Sequence, residues 1–163
     1  MPARLRPILL LVAALSLVVA ASAYATTTIR SAHTSAAEPV VRTVLGEAVS
    51  PPGAAGRTLA LSRVTIAPGS ELALHRHPGT QVSTIEHGTL TYWVVRGSVT
   101  VTRNATVVRK IDAGQHGQIP AGDTIVERPT TTHHAANRGR TRVVITIASL
   151  FRDGAPPSIP VTN

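Results

Sequence analysis

GSELALHRHPGTQVSTIEHG, residues 69–88, is the stretch on which the fold of this chain turns. His75 and His77 stand two apart, and in an extended strand such residues leave on the same side. Both imidazoles therefore face one way, while Leu72 and Leu74 are expected to take the other side. Pro78-Gly79 supplies turn chemistry, and the β-branched run from Val82 to Ile85 reads as the returning strand. A His-x-His by itself is equally compatible with two exposed histidines on a surface strand, so its meaning depends on what surrounds it.

Working outward, β-branched runs recur at Leu59 to Ile66, Leu90 to Arg96, Val99 to Arg103, Thr106 to Ile111, Thr124 to Glu127 and Arg142 to Leu150. Ala67-Pro68-Gly69, Arg96-Gly97, Arg103-Asn104, Pro120-Ala121-Gly122 and Asn137-Arg138-Gly139 separate them as turns. No segment between them sustains a helical period. The chain is therefore expected to be all-β, a sandwich or barrel of short antiparallel strands. Outside the first 25 residues the only aromatics are Tyr92, Trp93 and Phe151, so the core must be packed by Val, Ile, Leu and Ala. Cysteine is absent, which excludes disulfides, thiolate metal sites and cysteine nucleophiles. Any metal must be held by nitrogen and oxygen.

The spacing of residues 69–88 resembles the first motif of the cupin family: Gly, five residues, His-x-His, three or four residues, Glu, six residues, Gly. Here Gly69, His75, His77 and Gly88 occupy the matching places, and Gln81 stands where the family carries glutamate. The second family motif is Gly, five residues, Pro, one residue, Gly, two residues, His, three residues, Asn. It aligns from Gly122 without insertion: Arg128 replaces the proline, Thr130 the glycine, and His133 and Asn137 match. The two departures fall in a turn that Pro129 can still shape. Together the motifs cover residues 69–137, and the flanking strands can complete a single jelly-roll β-barrel.

The resemblance implies that His75, His77 and His133 converge inside the barrel on one divalent metal ion, with Gln81 as a further ligand through its carbonyl oxygen. Such a nitrogen-rich set suits Fe, Mn, Zn, Ni or Cu without selecting among them, and open positions remain for water or substrate. An amide in place of a carboxylate is a weaker ligand and leaves the ion its full charge. Family members with three histidines include oxygenases. Among the remaining candidates, His134 should face away from its neighbour His133, and His87 and His116, each followed by glycine, read as surface positions at strand ends. Glu86 and Glu127 are candidates for a supporting group or general base, Glu127 the stronger because it lies within the second motif. One of Tyr92 and Trp93 should face inward.

The formal charge of +8 is mostly arginine, but it is scattered. Only Arg138, Arg140 and Arg142 are locally dense, without aromatic residues to stack on bases, so nucleic acid is not expected as a partner. Residues 1–25 carry Arg4 and Arg6, an apolar run from Ile8 to Ala21 interrupted by Ser16, and Ala23-Tyr24-Ala25, the layout of a cleavable signal peptide. That predicts a secreted or extracytoplasmic protein that meets a membrane only during export. Residues 26–38 read as a flexible linker, 39–152 as the barrel domain, and 153–163, with Pro156-Pro157, as a loose tail. The resemblance also implies a homodimer formed through barrel strands. Two functional readings follow: a metal-dependent enzyme, either dioxygenase-like or using the ion as a Lewis acid on a small oxygen-rich molecule, or a non-catalytic module that binds a small ligand or metal.

Overall fold

Twelve strands form in the computed structural model, which describes residues 38–162. They are β1 (Val40–Val49), β2 (Arg57–Ile66), β3 (Glu71–Arg76), β4 (Thr80–His87), β5 (Thr89–Arg96), β6 (Ser98–Arg103), β7 (Thr106–Asp112), β8 (His116–Pro120), β9 (Asp123–Glu127), β10 (Thr132–Ala136), β11 (Val143–Arg152) and β12 (Ile159–Pro160). Inward residues alternate with outward ones in β2, β4, β6, β9 and β11. The expected leader, 1–25, and nearly all of the expected linker lie outside the described residues. No helix occurs among the described residues.

Seven strands form one antiparallel sheet in the order β1-β2-β11-β4-β9-β6-β7, and five form another in the order β12-β3-β10-β5-β8. Their inner faces share one core. Val64, Ile66, Ile85, Ile125 and Ile145 come from the larger sheet, Leu90, Tyr92, Val94, Ile119 and Ala135 from the smaller. The core is thus aliphatic and largely β-branched, as the scarcity of aromatics required.

Several elements depart from the sequence expectation. β1 is an edge strand whose residues are mostly exposed, so no buried face marks it. β8 carries Gly117 and ends at Pro120, and β12 lies among prolines. The segment expected to be a loose tail instead returns to the smaller sheet. Ile159 and Pro160 pair with Arg76 and His75, and the Val161 amide donates to the Leu74 carbonyl at 3.1 Å. Pro160, itself one of the two residues, is tolerated because β12 is an edge strand.

The phase of β3 also differs. His133 pairs with His75 but Ala135 with Leu72, so β3 carries one extra residue in a β-bulge at Ala73-Leu74, which shifts the alternation by one position. Leu72 therefore packs against the core and lines the same cavity as His75, rather than facing the opposite side.

Candidate metal centre

Three strands of the two-sheet core bring the titratable groups together. His75 sits near the end of β3 and His77 just beyond it, His133 lies opposite His75 on β10, and Glu127 ends β9 opposite Gln81 on β4. The ligand atoms of His75, His77 and His133 all lie within 4.8 Å of one another. His77 and His133 are buried and His75 is half-buried. They occupy the wall of a cavity of about 360 Å³. Its lining is otherwise largely apolar, including Leu72, Leu90, Ile125 and Ile147, with Arg42 as its one arginine.

Two of the rings are oriented by backbone carbonyls. His75 Nδ1 donates to the Ala73 carbonyl at 2.7 Å, and His77 Nδ1 donates to the Pro157 carbonyl at 2.8 Å. Because a carbonyl only accepts, each ring carries its proton on Nδ1 and presents the lone pair of Nε2, the outer support usual for metal-binding imidazoles. Phe151 stacks on His77 at 6.1 Å, and Tyr92 stacks on His133 at 4.8 Å between ring centres. Tyr92 is thus the inward member of its pair. Trp93 faces the other side of the sheet, where it stacks on His134 at 4.7 Å. His134 is accordingly turned away from the centre.

Gln81 and Glu127 complete the cluster, each only 3 % exposed. The amide nitrogen of Gln81 lies 3.0 Å from His77 Nε2 and donates to Glu127 Oε2 at 2.5 Å. Ser83 Oγ donates to the same oxygen at 3.2 Å. The Tyr92 hydroxyl donates to Oε1 at 2.7 Å, and His133 Nε2 lies 3.0 Å from that oxygen. Glu127 is therefore the hub of the site. Sequence reading left it as a supporting group or general base, because its approach to Gln81 depends on the pairing of β4 with β9. Ser83 was foreseeable, since it shares a face with Gln81 on β4, whereas nothing in the sequence marked Pro157. Glu86 lies elsewhere, accepting a hydrogen bond from Thr146 at 2.5 Å and facing Arg63 on the exterior.

Electrostatics favour a cation here. Burial pushes His133 down to about 3, against the opposing pull of Glu127, and burial lowers His77 as well. Burial works against ionisation of Glu127, yet His133, His77 and the hydrogen bonds from Gln81 and Tyr92 hold it at about 2. Tyr92 is raised well above its ordinary value by burial and by the Glu127 charge. At neutral pH His77 and His133 are thus neutral and Glu127 is ionised, the protonation that metal binding requires of them. Its own hydrogen bonding is incomplete: Gln81 Oε1 and His133 Nδ1 are buried without partners. In donor chemistry and protonation the residues fit a divalent transition metal.

No protein-family model matches the sequence, and a search of curated proteins finds no match. Solved structures do resemble it. An oxalate oxidase in complex with the substrate analogue glycolate is 19 % identical, with a TM-score of 0.50 over 76 % of this chain and 55 % of that one. An oxalate decarboxylase solved in a study of proton-coupled electron transfer is 19 % identical, again with a TM-score of 0.50, over 76 % and 28 %. An oxalate decarboxylase from Bacillus subtilis, described by its Mn(II) centres, is 20 % identical with a TM-score of 0.46 over 71 % and 27 %. The chain spans between about a quarter and just over half of the length of these solved chains. The likeness is one of fold, and the chain has the cupin fold that its motif spacing implied.

Proposed function

We propose that this cupin is an exported protein that holds one divalent metal ion on His75, His77 and His133 and acts on a small, oxygen-rich, anionic molecule. The observation that carries the reading is the convergence of three imidazoles on the wall of a cavity of about 360 Å³, a volume suited to a small ligand. Bound there, the ion would supply Lewis acidity and open positions for oxygen ligands. Arg42 on the cavity wall adds a cation that can pair with a carboxylate. The apolar lining excludes water and strengthens both attractions. Tyr92 helps to keep Glu127 ionised, and the hydrogen bonds from Tyr92 and Ser83 fix its carboxylate beside His133.

Metal analysis after purification without added metal, followed by assays with oxalate, glycolate, catechols and diketones, tests the proposal. Stoichiometric metal with turnover of one of these classes is expected; a protein that takes up no metal on reconstitution overturns it. One observation favours the non-catalytic alternative. Gln81, Ser83 and Tyr92 all donate to Glu127, so these groups are engaged with one another and none is a free general acid or base. Stoichiometric metal and ligand binding without turnover would select that alternative.

Export rests on the leader pattern and is tested by the N-terminus of protein recovered outside the cytoplasm, which should begin at Thr26. Pairing of two copies is supported by the exposed apolar strip on the outer face of the larger sheet. There Leu59 lies opposite Leu150, while Leu61 and Val82 both flank Ala148.

A further inference from the structure

In the family motif the acid belongs at position 81, yet this chain carries an amide there and a buried carboxylate directly across the strand pair. Gln81 and Glu127 are register partners of β4 and β9, and both side chains point into the core. We propose that Glu127, and not Gln81, supplies the fourth protein donor of the metal centre, the acid and the amide having traded places between neighbouring strands. The inference rests on the metal-binding reading above and specifies its ligand set.

The hydrogen bonds decide between the two groups. Gln81 turns its nitrogen toward the imidazoles and the carboxylate, and an amide nitrogen has no lone pair to offer a cation. Flipping the amide would set its carbonyl oxygen against Glu127 Oε2 at the same 2.5 Å, where two acceptors repel. An ionised Glu127 thereby locks Gln81 in the orientation that cannot coordinate. Glu127 itself presents Oε1 at 3.0 Å from His133 Nε2 and Oε2 at 3.9 Å from His77 Nε2. Donors bonded at about 2.1 Å to one ion lie about 3 Å apart when adjacent and about 4 Å apart when opposed, so both separations suit a shared cation. Of the contacts to the carboxylate, those from Gln81, Ser83 and Tyr92 come from groups outside the histidine cluster and can persist. An ion would replace the His133 contact and, at His77 Nε2, the second contact of the Gln81 amide. Adding an anionic ligand to three imidazoles also lowers the net charge of the loaded centre, unlike a neutral amide.

Titration of metal-stripped protein with Co(II), read by its visible absorption, tests this in four forms of the full chain: wild type, Glu127→Gln, Gln81→Met, and the double variant Gln81→Glu/Glu127→Gln. Glu127→Gln is expected to weaken binding by more than the roughly 10–100-fold that loss of an outer-shell partner costs, and to shift the Co(II) bands. Gln81→Met should stay within about 10-fold of wild type, and the double variant, which restores one acid and one amide, should regain most of the affinity. Infrared difference spectra of the wild type, with and without Co(II), should show a carboxylate band shift, a readout that does not depend on any variant folding. Weaker binding with unchanged bands would make Glu127 only a partner of His133 and overturn the proposal. So would metal loss confined to Gln81→Met, or a wild-type spectrum without a carboxylate signal. In those three outcomes the three-histidine reading survives; failure of the wild type to take up Co(II) overturns both.

Discussion

His77 is held at both ring nitrogens, by the Pro157 carbonyl and by the Gln81 amide, and that makes its substitution informative. His77→Ala is expected to abolish stoichiometric metal, read by elemental analysis, while far-UV circular dichroism stays that of a β-protein. His134→Ala, on the far side of the same sheet, should leave metal content unchanged. The pH dependence of the metal-free protein follows from the same rings. Glu127 and His133 both sit below their ordinary values when folded. A depressed carboxyl contributes stability above its unfolded pKa and loses it as pH falls toward the folded one. A histidine kept neutral by burial likewise favours unfolding once the unfolded chain can be protonated. Stability should therefore decline from about pH 6.5 downward, with Glu127 adding its share below about pH 4.5, measurable as a falling melting temperature. The histidines were legible because their spacing matches the two cupin motifs, and it was that resemblance which implied that they converge. The part played by Glu127 was not, because it requires knowing which strand lies beside β4.

Strands and turns show where local chemistry met tertiary constraint. The alternation in β2, β4, β5, β9 and β11 was readable from β-branched runs, but the bulge in β3 was not, since an extra residue leaves no compositional trace. Asn137, the last residue of the second motif, explains its own presence: its side-chain amide donates to the carbonyls of Ile66 and Thr141 at 2.9 and 2.8 Å. It thereby ties the end of β2 to the loop after β10. Asn137→Ala should lower stability by about 2–4 kcal/mol in urea unfolding, because two carbonyls lose their donor. In the Pro78-Gly79 turn, a Cβ at position 79 would meet the Leu150 carbonyl at 2.3 Å and the Phe151 ring at 2.7 Å. Gly79→Ala is thus expected to cost about 1–3 kcal/mol and to disturb His77 through the Phe151 ring. Gly88 is fixed twice over, by a φ of 78° and by the Arg142 carbonyl 2.7 Å from where a Cβ would stand. At the opposite end of the chain, removing residues 155–163 deletes β12 and the Pro157 carbonyl. Metal affinity should then fall by about 10–100-fold, the usual effect of losing an outer partner.

At the scale of the whole molecule, two sheets share one core and leave their outer faces unlike. The larger sheet exposes the strip that includes Leu59, Leu61, Val82 and Leu150, whereas the smaller carries the stack of Trp93 and His134 with Arg138 over the indole. Light scattering should give a dimer mass for the wild type and a monomer mass for Leu59→Glu/Leu150→Glu, with circular dichroism unchanged. The all-β class and one shared core were foreseeable from composition and turn spacing; the assignment of strands to sheets depended on long-range register. The bond between His77 and Pro157, 80 positions apart, sets a temporal order on how the molecule matures. A growing chain emerging from the ribosome or a translocation pore has the histidine long before it has the carbonyl that orients it. On the metal-binding reading proposed above, ion capture at full strength must therefore wait until Pro157 has been made, and whichever compartment receives that segment determines which ions are on offer.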